Sequence, residues 1–146
     1  KKGDTIISTV RTYLKAIAYI GEIVKDVIVS TGFAVVSPQE NIIPEFLYYV
    51  LRSEKFIDRV CALSVGVSYP AINSTELADI VVWYPDDKEE QRKIADYLDY
   101  VMIKTKKTIN RMQVEIEYLK EFRTSLISEV VTGKIDVREF SHERYS

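Results

Sequence analysis

Tyr84-Pro85-Asp86-Asp87-Lys88-Glu89-Glu90-Gln91 opens a run that meets no further Gly or Pro until Gly133, and its reading decides the fold. Pro stands ahead of the run and acids crowd its first turn, which is how a helix N-terminus reads. The missing Pro N–H costs nothing there, and carboxylates favour the positive end of the helix dipole. Asp86 is the expected cap, with Glu89 three residues on in an approximate capping box. Thr132-Gly133-Lys134 supplies the stop, because Gly can take the left-handed residue that ends a helix. The spacing predicts one helix from about Pro85 to about Val131. At about 1.5 Å per residue it is a rod of about 65–70 Å, several times an ordinary globular helix.

Apolar positions along this run step by four and three. Ile94, Leu98, Val101, Met112, Leu119, Phe122 and Leu126 follow one seam, interrupted by Thr105, Thr108 and Glu115, beside a stripe of Ile109, Ile116 and Arg123. This is a coiled-coil-like repeat with a polar centre. Such a seam is either packed on the chain's own domain or paired with another helix, in cis or in trans. The length favours pairing, and the polar centre then sets register. Lys104, Lys106, Lys107 and Arg111 form a basic patch midway. It reads either as a contact for nucleic acid or an acidic partner, or as a solvated face balanced by Glu115, Glu117 and Glu121.

Composition bounds the function classes. The chain has 146 residues, a formal net charge of −2, 47% hydrophobic and 29% charged residues. That suits one modest core plus the rod. No run approaches the roughly 20 apolar residues of a membrane span, and no signal-peptide pattern is present, so a cytoplasmic protein is expected. Cys61 and His142 are the single residues of their types. One Cys excludes an internal disulfide framework, and the pair cannot build a zinc site with usual ligands. Cys61 is expected to be a small buried apolar residue. No catalytic constellation, Gly-rich phosphate loop, metal or cofactor site is expected. Thr132-Gly133-Lys134 follows a helix and lacks the upstream Gly of a P-loop. The acidic balance argues against bulk electrostatic DNA binding, while a locally basic surface remains compatible with it.

The first part of the chain predicts an α+β domain, a small bent sheet with one packed helix. Strands are expected at Thr5–Val10, Ala16–Ile20, Val27–Ser30 and Phe33–Val36. A helix opens at Pro44 and ends near Leu63, burying Phe46, Leu47, Val50, Leu51, Phe56, Ile57 and Val60. A loop covers Gly66 to Asn73, Ser74–Leu77 is a helical turn, and Ile80–Tyr84 is a final buried strand feeding the rod.

Gly3-Asp4-Thr5-Ile6-Ile7-Ser8-Thr9-Val10-Arg11-Thr12-Tyr13-Leu14-Lys15, Pro44-Glu45-Phe46-Leu47-Tyr48-Tyr49-Val50-Leu51, Glu89-Glu90-Gln91-Arg92-Lys93-Ile94-Ala95-Asp96-Tyr97-Leu98-Asp99 and Leu126-Ile127-Ser128-Glu129-Val130-Val131-Thr132-Gly133-Lys134-Ile135-Asp136-Val137-Arg138 carry a resemblance. In this order and spacing they resemble the specificity subunit of type I restriction–modification enzymes. The resemblance implies a non-catalytic subunit. Residues 1–84 would be part of a target recognition domain reading one half of a bipartite double-stranded DNA sequence. Residues 85–132 would be the conserved helix, which pairs with an equivalent helix and docks the modification methyltransferase subunit, with a restriction translocase subunit joining the full complex. Residues 133–146 would be a tail.

A complete specificity subunit carries two recognition domains and two such helices. This chain carries about half of one domain and one helix, and it begins Lys1-Lys2-Gly3 without Met. It is therefore expected to be either a half-subunit or a fragment of a longer one, and its helix, without an internal partner, is expected to self-associate in trans. Arg11 and Lys15, within the first resembling segment, are the expected phosphate or base contacts, and Ser68, Tyr69 and Asn73, in a loop whose family counterpart is variable and often polar, are the expected base readers. For each, a plain surface or turn role stands beside the DNA role. Ile94, Leu98, Val101, Met112, Leu119, Phe122 and Leu126 are the expected pairing and docking residues. An assembly module that pairs through the helix without reading DNA is the competing reading.

Overall fold

The computed structural model describes residues 1–22 and 28–140, which fall into two compact units, one ending at Asp99 and the other beginning at Tyr100. The first unit is built on three short antiparallel strands, β1 (Thr5–Ser8), β2 (Ile17–Tyr19) and β3 (Phe33–Val36), in the order β2-β1-β3. Thr5 and Ile7 of central β1 are buried while Ile6 and Ser8 are half-buried, the period-two signature of a sheet covered on one face. The register sets Ile7 between Ile17 and Ala34, so one row of the sheet is apolar on its core side.

Helices α1 (Pro44–Arg52) and α2 (Glu54–Leu63) supply the rest of the core, with Phe46, Leu47 and Leu51 from one and Phe56, Ile57 and Val60 from the other. The single helix expected from Pro44 to Leu63 is thus two. Ser53 takes an extended conformation, φ −64° and ψ 146°, and its Oγ accepts the Phe56 N–H at 3.3 Å. A serine hydroxyl competes with the helix ladder for backbone groups, so it suits a cap better than an interior. Cys61 is half-buried against this core. His142 lies outside the described residues.

Three strand expectations need correction. β1 ends at Ser8, and Val10 instead bridges to Ala71. Ile28–Ser30 forms no strand and Ile28 is 92% exposed, while Val27 lies outside the described residues. Ile80–Tyr84 forms no strand with any described neighbour, yet it keeps strand-like alternation. Ile80, Val82 and Tyr84 pack on the core, whereas Val81 and Trp83 are 80% and 92% exposed. β-branched composition reports fit to a half-buried pleated surface, and these segments find no strand to pair with. The expected turn at Ser74–Leu77 is helix α3 (Ser74–Ala78), closed by a reciprocal capping box between Asn73 and Glu76.

Helix α4 runs Lys88–Val131, 44 residues without a break. Its cap is Asp87, not Asp86: Asp87 Oδ1 accepts the Glu89 N–H at 2.9 Å. At the far end Gly133 takes φ 73°, and the Lys134 N–H returns to the Glu129 carbonyl at 2.9 Å, the left-handed stop expected there. The small sheet, packed helices and long helix together form the α+β architecture read from the sequence.

In its second turn α4 carries Gln91, fully buried. Its Oε1 accepts the Ile43 N–H at 2.8 Å, and its Nε2 donates to the carbonyls of Pro85 at 2.7 Å and Asn41 at 3.0 Å. The amide orientation is fixed by this network, because a flip would set donor against donor and acceptor against acceptor. Ala95 and Ile94 pack on the core beside it. Tyr49 donates to Asp99 and Tyr19 donates to Glu45 at 2.7 Å. Burial, reinforced by these carboxylate partners, pushes both hydroxyls up to about 12.

Gln91→Leu keeps the volume but strands one N–H and two carbonyls, and is expected to cost about 2–4 kcal/mol. Gln91→Glu sets a carboxylate against two carbonyls. It should destabilise more at pH 7 than at pH 4, where protonation restores one donor. Urea unfolding at both pH values checks this; a Gln91→Leu chain as stable as the parent would show that the amide contributes nothing.

Candidate nucleic-acid interface

After β1 the chain turns through a 3-10 turn at Thr12–Leu14, bracketed by Arg11 (φ 52°, ψ 46°) and Lys15 (φ 54°, ψ 37°). Both are left-handed, a region that non-Gly residues rarely enter. The turn is held from inside: buried Thr12 donates its hydroxyl to the Ser8 carbonyl at 3.1 Å, and Ser8 Oγ donates to the Val10 carbonyl at 2.7 Å.

The loop from Val65 to Ile72 docks beside this turn. The Arg11 N–H donates to the Pro70 carbonyl at 2.8 Å and the Ile72 N–H to the Thr9 carbonyl at 3.0 Å, while Val65 and Ala71 exchange a pair of backbone bonds across the loop neck. The result sets the Arg11 guanidinium over the Tyr69 ring, 4.0 Å from its centroid. Two expected contact residues, 58 positions apart in sequence, therefore form one stacked pair. Arg11 Nε is buried and has no hydrogen-bond partner among the described residues, while Tyr69 is 65% exposed.

The other expected contacts are more dispersed. Ser68 is exposed beside Tyr69 on the same loop. Lys15 Nζ lies 3.5 Å from Glu54 Oε1, an exposed pair whose screening leaves the lysine easy to recruit. Asn73 is exposed, but its Oδ1 accepts the Glu76 N–H at 2.8 Å as the cap of α3. Tyr13 is half-exposed on the turn itself.

Along α4 the seam residues divide. Ile94 packs on the core of the first unit, and Leu98 is half-buried. In the second unit Val101 is half-buried, while Met112, Leu119, Phe122 and Leu126 are exposed, Leu119 and Phe122 to 66% and 64%. Among the described residues no three His, Cys, Asp or Glu side chains gather into a metal-ligating group, and no helix is long and apolar enough to cross a membrane.

Sequence reading missed what makes the loop possible. Gly66 stands at φ 125°, and a Cβ there would lie 2.9 Å from the Tyr69 carbonyl oxygen. Its glycine reads only as punctuation in the sequence, whereas here it permits a backbone approach that no side chain tolerates. The left-handed Arg11 and Lys15 carry no sequence signal at all. Gly66→Ala is expected to displace Tyr69 from Arg11 and to cost about 1–3 kcal/mol. Amide hydrogen exchange at Arg11 and Ala71 reads it directly, and unchanged protection would refute the close-approach argument.

Comparisons with known proteins identify the family. The sequence model described as "Type I restriction modification DNA specificity domain" matches residues 1–118. The MjaIX specificity subunit of a type I restriction enzyme from Methanocaldococcus jannaschii is 27% identical over 122 residues, covering 81% of this chain and 27% of that protein. The HindI specificity subunit from Haemophilus influenzae is 32% identical over 101 residues, covering 67% of this chain and 22% of that one. The chain thus spans about a quarter of the length of these relatives. The HsdS subunit from Thermoanaerobacter tengcongensis superposes with a TM-score of 0.67 and 31% identity, over 84% of this chain and 31% of that one. A chain from a solved structure on the assembly and conformational transition of the type I R-M system superposes with a TM-score of 0.70 and 27% identity, over 100% of this chain and 35% of that one. With a family match across most of its length, the chain belongs to the type I restriction modification DNA specificity domain family.

Proposed function

We propose that this chain is a non-catalytic DNA-specificity element of a cytoplasmic type I restriction–modification complex. Residues 1–84 act as part of a target recognition domain that reads one half of a bipartite duplex target. Residues 85–132 act as the pairing helix that docks the modification methyltransferase subunit, with the restriction translocase subunit joining in the full complex, and residues 133–146 are a tail. The observation that carries the reading is the convergence of Arg11 and Tyr69, which holds a cation and an aromatic ring on one backbone-locked surface beside Ser68. A locked arginine can form paired hydrogen bonds to guanine O6 and N7 or to a phosphate, while Lys15 serves as a phosphate contact.

Arg11→Ala is expected to cost about 1–3 kcal/mol of DNA affinity and to relax specificity at one base position. Lys15→Ala should weaken binding evenly across sequences. The target is found by sequencing methylated DNA from cells that co-express the modification methyltransferase subunit, and affinities are then measured on that duplex. An Arg11→Ala chain with unchanged affinity and methylation pattern overturns the assignment.

The second reading, an assembly module that pairs through the helix without reading DNA, draws support from the exposed Met112, Leu119, Phe122 and Leu126. The 146-residue chain is expected to dimerise through this seam. Light scattering should give twice the chain mass, and Leu119→Glu with Phe122→Glu should return it to one. A chain that is monomeric before substitution refutes self-pairing. Dimers that persist in Arg11→Ala with Lys15→Ala, together with unchanged DNA binding, favour the assembly reading.

A further inference from the structure

From Tyr100 to Val114 helix α4 carries no acidic residue, although acids are frequent on either side. Within that stretch lie Lys104, Lys106, Lys107 and Arg111, all exposed. None of them forms an ion pair among the described residues, whereas Lys120 pairs with Glu117 at 2.8 Å one turn beyond the stretch. Arg111 and Glu115 stand at the spacing that favours pairing and do not pair. Lys104 and Lys107, and Lys107 and Arg111, are like charges at three- and four-residue spacing, which lowers helix stability. The face is therefore not the balanced solvated surface that a surface helix ordinarily presents.

At about 100° per residue, Lys104, Lys107 and Arg111 fall within about 60° of one another and span about 10 Å of axis. Tyr100 and Tyr118 continue the same stripe, both exposed, and Lys104 Nζ lies 6.0 Å from the Tyr100 ring centroid. The stripe is centred about 100° round the helix from Thr105, Thr108 and Met112. A helix paired through the seam therefore leaves the stripe open.

We infer that this stripe binds the phosphodiester backbone of duplex DNA independently of sequence, an inference that rests on the chain being a DNA-specificity element. The choice of DNA over an acidic protein surface follows from composition. Lysine is depleted at protein–protein interfaces, while lysine and arginine in line are what phosphate contact uses. The stripe adds affinity without specificity, the complement of a loop that reads bases.

The test is fluorescence anisotropy of the full chain on a labelled random-sequence duplex across salt concentrations. The comparison variant is Lys104→Gln with Lys107→Gln and Arg111→Gln, since Gln keeps helix propensity. Three lost phosphate contacts should lower the slope of log K against log salt by about 2.7, with dimerisation and helix circular dichroism retained. Lys104→Arg with Lys107→Arg, which keeps the charge, should retain the slope. An unchanged slope in the Gln variant overturns the inference. So does a parent chain that fails to bind the duplex at low salt. A Gln variant that keeps its slope but loses the methyltransferase subunit overturns it in favour of an acidic protein partner. If Arg11→Ala leaves the methylation pattern unchanged while the Gln variant loses its slope, base reading at the loop fails and the stripe stands.

Discussion

One buried amide joins the pieces of the first unit. Gln91 has no exposure to water and three hydrogen bonds to backbone, reaching the N–H that opens α1, the carbonyl of Asn41 and the carbonyl of Pro85. Each of these groups would otherwise be an orphan at a helix end or in a loop, where desolvation without a partner costs more than a hydrogen bond gains. The carboxamide meets two acceptors and one donor with its own two faces, which neither a carboxylate nor an apolar side chain can do. The core then closes around it: Ala95 and Ile94 follow on α4, and Tyr49 reaches Asp99 two turns further on.

The surface proposed to meet DNA is built differently, from strain held in place by short bonds. Two left-handed non-Gly residues flank a three-residue turn, and a glycine with no room for a Cβ closes the facing loop. Neither segment belongs to the sheet. They are joined by a few backbone bonds between Thr9–Arg11 and Pro70–Ile72, and the side chains stack as a consequence. Ordering the arginine before any partner arrives lowers the entropy lost on binding.

How much of this was legible depends on whether the cause is local. The long helix is written in the absence of Gly and Pro over its length and in Gly133 at its stop, so its limits read to within a few residues; only the cap moved, from Asp86 to its neighbour Asp87. Ser53 is a residue type that suits a cap, but apolar periodicity continues through it and hides the break. Ile80–Tyr84 has strand composition and alternation but no partner strand, which composition cannot supply. Pairing of Arg11 with Tyr69 is a non-local event between a strained turn and a distant loop. Gln91 stood inside a motif that carries the family resemblance, but a motif does not say that its amide is buried among three backbone groups. The family resemblance reaches further than periodicity does, since it implies one domain for both segments.

The left-handed backbone at Arg11 and Lys15 carries a consequence for how such a surface can change. Glycine would occupy either position without steric penalty, so backbone strain at these two sites favours a residue without the cation. Selection for thermal robustness alone would drift toward that silent sequence. A library sorted for stability would therefore be expected to erase these charges first, and one sorted for DNA discrimination to restore them. The two sites are where folding and proposed recognition pull on the same residue in opposite directions.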